Sequence, residues 1–354
     1  MKFTFKPSPN YRHPQSTTKI MGHLTVALGA VLLASIIWYG ISFGMALRVA
    51  MLAVVAVVTA ILTEIAFFAF TGSKDIRHDV THSYGWVTAL ILVLITRIDV
   101  SYYAVVIATI VAILFGKLVF GGFGQNIFNP AALGEAIIMN SFSANGAEEV
   151  TAKVLSGATP MTAMGSAGWN ASASVVENVI TSYGGLFNML MGDYVSVIGG
   201  SCAIVLIAAF FYLLYNDVID WHLSVPYILT ILVVSLITSF ANGSGISFAL
   251  FNILGGGVLF VAVFMVTDPV TSPVTIPGKY IFAVCAAALT LIIRWKAAIP
   301  DGALFALLLM NMLTPAIDRA CSGSQIKDAK KIQTTSVVIS LVAIVIAVAV
   351  GVTL

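Results

Sequence analysis

The residues best suited to chemistry form a tetrapeptide of small side chains, SGAT at positions 156–159. Thr159 offers a hydroxyl, and its neighbours Gly157 and Ala158 are small enough to let a bulky group approach the backbone. Pro160 stiffens the chain directly after that hydroxyl. Two interpretations are open: a site that receives a bulky group, or a polar loop in which Thr159 only caps a helix or turn.

Acidic residues within apolar segments are the second group of interest. Glu64 lies late in the second apolar run, Glu135 lies in the fifth, and Asp268 stands at the end of a later run. An ionisable group at membrane depth is expensive, so it usually has a functional reason. Each acid could accept a cation or a proton, or bind a ring; the alternative is that it reaches water or caps a helix.

The composition places these residues in a membrane protein. Hydrophobic residues make up 59% of the 354 residues and charged residues 9%, with a mean hydropathy of +1.02. These values exclude the ordinary soluble class. The three cysteines, Cys202, Cys285 and Cys321, have no CxxC or Cys/His spacing, so we expect no metal or iron–sulfur site from this chain alone.

The apolar runs predict an all-α polytopic membrane protein with about ten or eleven transmembrane helices. Interrupted segments on both sides of a polar interval suggest a two-fold internal repeat of five-span units with broken or half helices. The short runs 84–98, 129–142 and 301–314 are the candidates for half helices. The predicted spans are 22–40, 44–71, 84–98, 102–120, 129–142, 193–215, 224–241, 247–267, 279–294, 301–314 and 334–353.

The distribution of basic residues predicts the orientation. With a cytoplasmic N-terminus, the alternation of spans leaves most Lys and Arg on the inner side, as the positive-inside rule requires, and puts the Thr159 loop outside. The predicted parts are a cytoplasmic segment 1–21, a first membrane half 22–142, an extracytoplasmic loop 143–192, a second half 193–318, and a basic cytoplasmic loop with a further span 319–354.

Two segments broken by Gly and Pro, 121–135 and 267–279, lie close to membrane depth. Non-helical backbone is tolerated there when it is buried in protein or lines a cavity. We therefore expect both segments to line a binding site between the two halves.

Four motifs in this order resemble the D subunit of Rnf complexes, which are membrane ion-translocating ferredoxin:NAD oxidoreductases. The homologous B subunit of the sodium-pumping NADH:quinone oxidoreductase shares several of them. The resemblance covers about residues 20 to 320. The motifs are SGAT at 156–159, NIFNPA at 126–131, FMVTDPVTSP at 264–273 and DGALFALLLMN at 301–311.

The resemblance implies two flavins. In that family the threonine of SGAT carries FMN through a phosphoester bond, placed by a flavin transferase. Carried over, Thr159 is the attachment residue, and Ser156, Gly157 and Ala158 form the recognition motif. Relatives also hold non-covalent riboflavin within the membrane, and the residues expected to line its site are Asn126, Asn129, Pro130 and Asp268.

The resemblance also implies partners: other membrane and peripheral subunits, including a second FMN-bearing subunit and iron–sulfur subunits, in a bacterial or archaeal cytoplasmic membrane. No nucleic acid is expected. The chain has no dinucleotide fingerprint, so it is not a stand-alone dehydrogenase.

The predicted function is electron relay coupled to Na⁺ or H⁺ transport, with Glu64, Glu135 or Asp268 on the ion path. The sequence does not distinguish the two ions or the direction of electron flow. The alternative is a flavin-free solute channel or secondary transporter, which broken helices and many spans would also suit.

Overall fold

The computed structural model describes residues 15–142, 159–192, 194–297, 299, 302–323 and 328–354. These residues form helices and connecting loops without β-strands, apart from an isolated antiparallel β-bridge between Arg97 and Val197. The all-α prediction is therefore confirmed. Ser156, Gly157, Ala158 and Asp301 lie outside the described residues.

Long apolar helices form the frame of the protein. In the described part of the chain, six are long and apolar enough to cross a membrane, or seven if one bent pair counts as a span. The chain is thus a multi-pass membrane protein. The six are α1 (Thr17–Phe43), α2 (Ala46–Phe70), α11 (Trp221–Asn242), α14 (Ile276–Lys296), α15 (Ala303–Cys321) and α16 (Ala329–Val352).

Shorter helices fill the space between them. The bent pair consists of Gly245–Leu254 and Val258–Met265, which meet at 60°. The polar interval that follows Thr159 also folds into short helices. The shorter helices are α3 (Ile76–Ser83), α4 (Gly85–Ile95), α5 (Tyr102–Ile113), α6 (Pro130–Ser141), α7 (Pro160–Ser166), α8 (Ala173–Ser182), α9 (Gly185–Met191), α10 (Ala203–Tyr215), α12 (Gly245–Leu254) and α13 (Val258–Phe260).

The predicted count of ten or eleven spans is not confirmed, and neither is the internal repeat. Runs 84–98 and 129–142 do form short helices, α4 and α6, because Tyr84 in the left-handed region and Pro130 at the first helical position set where they begin. The half-helix prediction for 301–314 is wrong. Helix α15 continues through Pro315 to Cys321, for 19 residues.

Two π-helical turns interrupt the short helices. Leu114–Leu118 continues α5, and Val261–Met265 continues α13. Each adds a residue to the turn, and such insertions are frequent at functional sites. Every residue from Val258 to Met265 is buried, so this segment lies in the middle of the bundle.

Buried arginines bind the carbonyl groups exposed where helices break. Arg48 donates from Nε to the Ile98 carbonyl at 2.8 Å and from its terminal amine to the Val100 carbonyl at 3.0 Å. Arg294 donates to the Asn252 carbonyl at 2.7 Å. The last carbonyls of a helix lack intrahelical partners. Arg294 therefore binds one of the last carbonyls of α12, and Arg48 binds two carbonyls of the loop that follows α4.

Candidate functional site

Thr159 stands at the beginning of α7 and caps it. Its hydroxyl oxygen accepts a hydrogen bond from the Thr162 backbone N–H at 3.1 Å and lies 2.7 Å from the Thr162 hydroxyl. Pro160 occupies the first helical position. The capping interpretation thus holds for the unmodified side chain, which is only half-buried and keeps its hydroxyl near the surface of a cavity.

That cavity, which we name the Thr159 cavity, has a volume of about 300 Å³. Apolar side chains form most of its wall. Its charged residues are Arg97, Asp99 and Glu135. The Arg97 terminal amine pairs with Asp99 at 2.8 Å, while its Nε has no hydrogen-bond partner among the described residues. The wall that carries the Thr159 hydroxyl therefore also carries a guanidinium, a group suited to binding phosphate.

Glu135 faces this cavity from α6. It is buried, and the Thr96 hydroxyl donates a hydrogen bond to its Oε2. Glu135 therefore points into the bundle, away from lipid. This is the placement expected of a membrane-embedded acid with a functional role.

A second cavity, which we name the Asn129 cavity, lies at the opposite end of the same short helices. Its volume is about 90 Å³. All four residues that the sequence suggested for a second ligand line it, although they come from two segments well apart in the chain. They are Asn126, Asn129, Pro130 and Asp268.

Hydrogen bonds join the two segments at this cavity. The Asn129 side-chain oxygen caps α6 by accepting from the Ala131 and Ala132 N–H groups at 3.1 and 3.2 Å. Its amide nitrogen donates to Asp268 Oδ2 at 3.5 Å. Asp268 also accepts from the Thr271 hydroxyl at 3.1 Å. The amide and the carboxylate are thus fixed side by side, where they can bind the polar edge of a ring.

Aromatic side chains cover another part of the wall. Tyr84 and Phe123 line the cavity, and their ring centroids are 5.2 Å apart at an interplanar angle of 64°. Trp86 packs edge-on against Tyr84 at 5.4 Å. Flat aromatic surfaces of this kind pack well against a planar ligand.

Glu64 lies behind the Asn129 cavity and is fully buried. Its Oε1 accepts from the Ser83 hydroxyl at 2.5 Å and lies 3.3 Å from the Lys117 ammonium. Glu64 Oε2 has no hydrogen-bond partner in the described part of the chain. Lys117 also donates to the Ser83 carbonyl and itself lines the cavity.

This position of Lys117 was not predicted from the sequence. A signal was present, because Lys117 interrupts an apolar run directly before a glycine-rich segment. An intramembrane lysine needs a partner. The partner, Glu64, is 53 residues away, so the chain order alone does not reveal the pair.

Three short helical segments connect the two cavities. Helix α4 contributes Ile91 to the Asn129 cavity and Ile95 to the Thr159 cavity. Helix α6 contributes Ala131 to the Asn129 cavity and Glu135 to the Thr159 cavity. Four residues of α-helix span about 6 Å. The buried segment 258–265 also lines both. The protein between the cavities is therefore only about one helical turn thick.

Comparison with known proteins places the chain among membrane redox subunits. The family model described as NQR2, RnfD, RnfE matches residues 4–327. The chain is 33% identical over 328 residues to the D subunit of the proton-translocating ferredoxin:NAD(+) oxidoreductase complex of Clostridium ljungdahlii, covering 90% of this chain and 94% of that protein.

Two further relatives are similar over nearly their whole length. The D subunit of the Na(+)-translocating ferredoxin:NAD(+) oxidoreductase complex of Acetobacterium woodii is 29% identical, over 90% of this chain and 93% of that protein. The D subunit of the ion-translocating oxidoreductase complex of Haemophilus influenzae is 27% identical, over 89% and 95%. The motif resemblance to the Rnf D subunit is thus confirmed, and the chain belongs to the NQR2, RnfD, RnfE family.

Proposed function

We propose that this chain relays electrons between FMN esterified to Thr159 and a second, non-covalent flavin, riboflavin, in the Asn129 cavity. Such a chain is a membrane subunit of an ion-translocating ferredoxin:NAD oxidoreductase complex, the type named for its relatives. The observation that carries the proposal is the placement of two cavities at the two ends of α4 and α6, with Thr159 on one and Asn129 with Asp268 in the other.

The Thr159 cavity fits a phosphate-linked ring in its chemistry. The hydroxyl is half-buried and lies at a cavity of about 300 Å³, the lower end of the range for small-molecule sites. Arg97 supplies charge for a phosphodiester, and its Nε is unpaired among the described residues. Ile95 of α4 and Ile138 and Met139 of α6 form apolar parts of the same wall.

The Asn129 cavity fits a flavin ring in its donor set. Asn126 and Asn129 offer amides, Asp268 offers a carboxylate to ring N–H groups, and Tyr84 and Phe123 offer aromatic faces. Its volume of about 90 Å³ is smaller than a typical ligand site. The ring would therefore enter only after the surrounding side chains move apart.

A flavin supplies one-electron and two-electron chemistry, and the protein positions it and tunes its potential. Here α4 and α6 hold the two cavities about one helical turn apart, and their buried apolar side chains keep water out of the gap. An acidic side chain lies near each cavity. Glu135, on α6, lines the Thr159 cavity, and Glu64 packs against Gly85 of α4 near the Asn129 cavity.

Glu64 and Glu135 are the proposed residues of the ion path. Both are buried, and both lie beside a cavity in which negative charge would arrive with an electron. A compensating cation is strongly favoured near such a charge, since the interior screens it poorly. The ion is Na⁺ or H⁺; the names of the relatives include both.

The proposed orientation puts the Asn129 cavity toward the cytoplasm and the Thr159 cavity outside. Lys279, at the beginning of α14, lies at the Asn129 end, and Arg97 lies at the Thr159 end. The basic segments near residues 74–77 and 319–331 follow helices that run toward the Asn129 end. The resulting excess of basic residues there supports the orientation through the positive-inside rule.

The experiment is a denaturing gel of the chain co-expressed with a flavin transferase, viewed by flavin fluorescence, with mass spectrometry of the Thr159 peptide. We expect a fluorescent band for the native sequence and for Thr162→Ala, and none for Thr159→Ala or Thr159→Asn. Because Asn keeps the helix cap, Thr159→Asn separates loss of attachment from loss of folding.

The second flavin is tested on the same preparation. Denaturation should release riboflavin in about equimolar amount to the covalent FMN, and Asp268→Asn with Asn129→Ala should lower the amount released. A native-sequence chain without covalent flavin would refute the relay and favour the flavin-free channel or transporter.

A further inference from the structure

The Lys117 ammonium lies between two places that can hold negative charge. On one side is the Glu64 carboxylate, 3.3 Å from Nζ. On the other side is the Asn129 cavity, which Lys117 lines together with Phe123, whose ring centroid is 5.8 Å from Nζ. Among the described residues lining that cavity, Lys117 is the one cation and Asp268 the one anion.

Local packing holds the lysine in this position. Lys117 lies on the π-helical turn that ends α5. A Cβ on the preceding Gly116 would lie 2.9 Å from the Pro130 Cα, so glycine is needed for α5 to approach α6. The π turn and the close approach together direct the Lys117 side chain inward, away from lipid.

The carboxylate has no second partner of equal strength. Glu64 Oε1 binds Ser83 and Lys117, while Oε2 is buried and has no hydrogen-bond partner among the described residues. If the ammonium moved away, one full negative charge would remain buried. An unpaired buried charge is strongly unfavourable, so it must take up a cation or a proton.

We propose that Lys117 is a shared counter-ion that couples the redox state of the Asn129 cavity to cation uptake at Glu64. This inference rests on the proposed function. With a flavin bound in the Asn129 cavity, its reduction by one electron from the flavin that Thr159 would carry, which would be oxidised in turn, would add one negative charge to the cavity. The Lys117 ammonium then turns from Glu64 to the cavity. One monovalent cation binds the Glu64 carboxylate, so charge is balanced at both places.

Lys117 acts here as a positioning residue for charge, and its readout is the midpoint potential of the non-covalent flavin. The titration is done on the purified complex at several Na⁺ concentrations and pH values. Lys117→Met should lower the potential, because the reduced state loses its counter-ion. Lys117→Arg should restore most of it. Glu64→Gln should raise the potential and abolish its dependence on cation concentration, since no carboxylate remains to be neutralised.

Two further variants keep the test decisive. The double variant Lys117→Met with Glu64→Gln removes both charges and so avoids a buried unpaired carboxylate; it should show a lowered, cation-independent potential even if Lys117→Met alone fails to fold. Lys279→Met is the matched control, because Lys279 lies at the same end but pairs with Asp220 at 2.6 Å and does not line the cavity. It should leave the potential unchanged.

The outcomes separate this inference from the proposed function. If riboflavin is present and its potential is the same in the native sequence, Lys117→Arg and the double variant, the counter-ion role is refuted while the relay stands. The counter-ion role is also refuted if Glu64→Gln retains the full cation dependence. If no flavin is released from the native chain, the relay itself is refuted.

Discussion

The two cavities carry ion pairs of the same kind in opposite surroundings. At the Thr159 cavity, Arg97 and Asp99 pair at 2.8 Å with side chains that are 42% and 21% exposed. At the Asn129 cavity, Lys117 and Glu64 pair at 3.3 Å with side chains that are 3% and 0% exposed. Water screens the first pair and not the second. Only in the second does the loss of one charge force the other to find a new partner.

This difference assigns the two ends different tasks. A screened arginine can bind and release a phosphate at small cost, which suits attachment. A lysine–glutamate pair buried away from water is poorly screened, so a charge added nearby interacts strongly with both residues. This property suits the coupling of electron transfer to ion uptake.

The largest effect is expected when one charge of each pair is removed. Lys117→Met should lower the free energy of unfolding by about 3–5 kcal/mol, because it leaves the Glu64 charge buried. Arg97→Met should lower it by about 0–1 kcal/mol. Unfolding in mixed detergent micelles, followed by tryptophan fluorescence, measures both. Equal losses of stability in Lys117→Met and Arg97→Met would show that the two pairs do not differ in screening. The double variant Lys117→Met with Glu64→Gln should recover much of the stability lost in Lys117→Met.

The next effect concerns the packing of Glu64 on α4. A Cβ at Gly85 would lie 2.5 Å from the Glu64 carboxyl carbon. Gly85→Ala should therefore cost about 1–3 kcal/mol by overpacking and should displace the carboxylate from Lys117. Gly22→Ala is the control, since a Cβ there meets nothing within 4 Å. The same unfolding assay measures the free energy of unfolding of both variants. If Gly85→Ala is as stable as Gly22→Ala, the Glu64 side chain can shift without cost and the overpacking argument is wrong.

Helix caps at the two cavities should differ more modestly. Asn129 is buried and caps α6 through two N–H groups, whereas half-buried Thr159 caps α7 through one. In the flavin-free chain we expect Asn129→Ala to cost about 2 kcal/mol and Thr159→Ala about 0.5 kcal/mol, the two ends of the usual range for caps. The free energies of unfolding of the two variants, each compared with the native sequence, test this prediction. A larger loss for Thr159→Ala than for Asn129→Ala would contradict it.

The smallest effect is a pH dependence at a third pair, Asp220 with Lys279, which lies at the Asn129 end outside the cavity. Partial burial alone would raise the pKa of Asp220, but hydrogen bonds from Lys279 and His222 outweigh it and lower the pKa to about 2. The folded pKa is below the unfolded value of about 3.9. The stabilisation is therefore fully present above about pH 4 and is lost as the pH falls through 2.

The measurement is the melting temperature of the native sequence and of Lys279→Met between pH 5 and pH 2. The native melting temperature should fall by a few degrees over this interval. The variant should begin lower at pH 5 and show a flatter dependence. A variant with the same slope as the native chain would show that Lys279 does not set the pKa of Asp220.

Much of the fold and part of the candidate site could be predicted from local pattern. Long apolar runs gave α1, α2 and α11 nearly to their ends, because hydropathy acts within a segment. The segments broken by Gly and Pro, 121–135 and 267–279, were expected to line a binding site, and Asn129 and Asp268 from these segments line one cavity. The expectation of a site at these segments rested on the rule that irregular backbone at membrane depth is enclosed, whereas the individual residues came from the resemblance to the Rnf D subunit.

The electrostatic partners could not be predicted, since they depend on packing between distant segments. The Lys117–Glu64 pair requires the π turn of α5, which shifts the side-chain register in a way that composition does not show. Nor did hydropathy show that α15 runs past Pro315. A proline lacks an N–H, but in a packed membrane helix its neighbours can satisfy the freed carbonyl.

The π-helical turns make the Asn129 cavity sensitive to chain length. Each inserts one residue into an otherwise regular helix, at Leu114–Leu118 and at Val261–Met265. Deleting one residue from either turn would restore the α-helical hydrogen bonds and rotate the remaining side chains by about 100°. Lys117 would then face lipid and Phe264 would leave the wall. Variants that replace residues in these turns can retain the geometry, whereas a single-codon deletion abolishes it while leaving the helix itself intact.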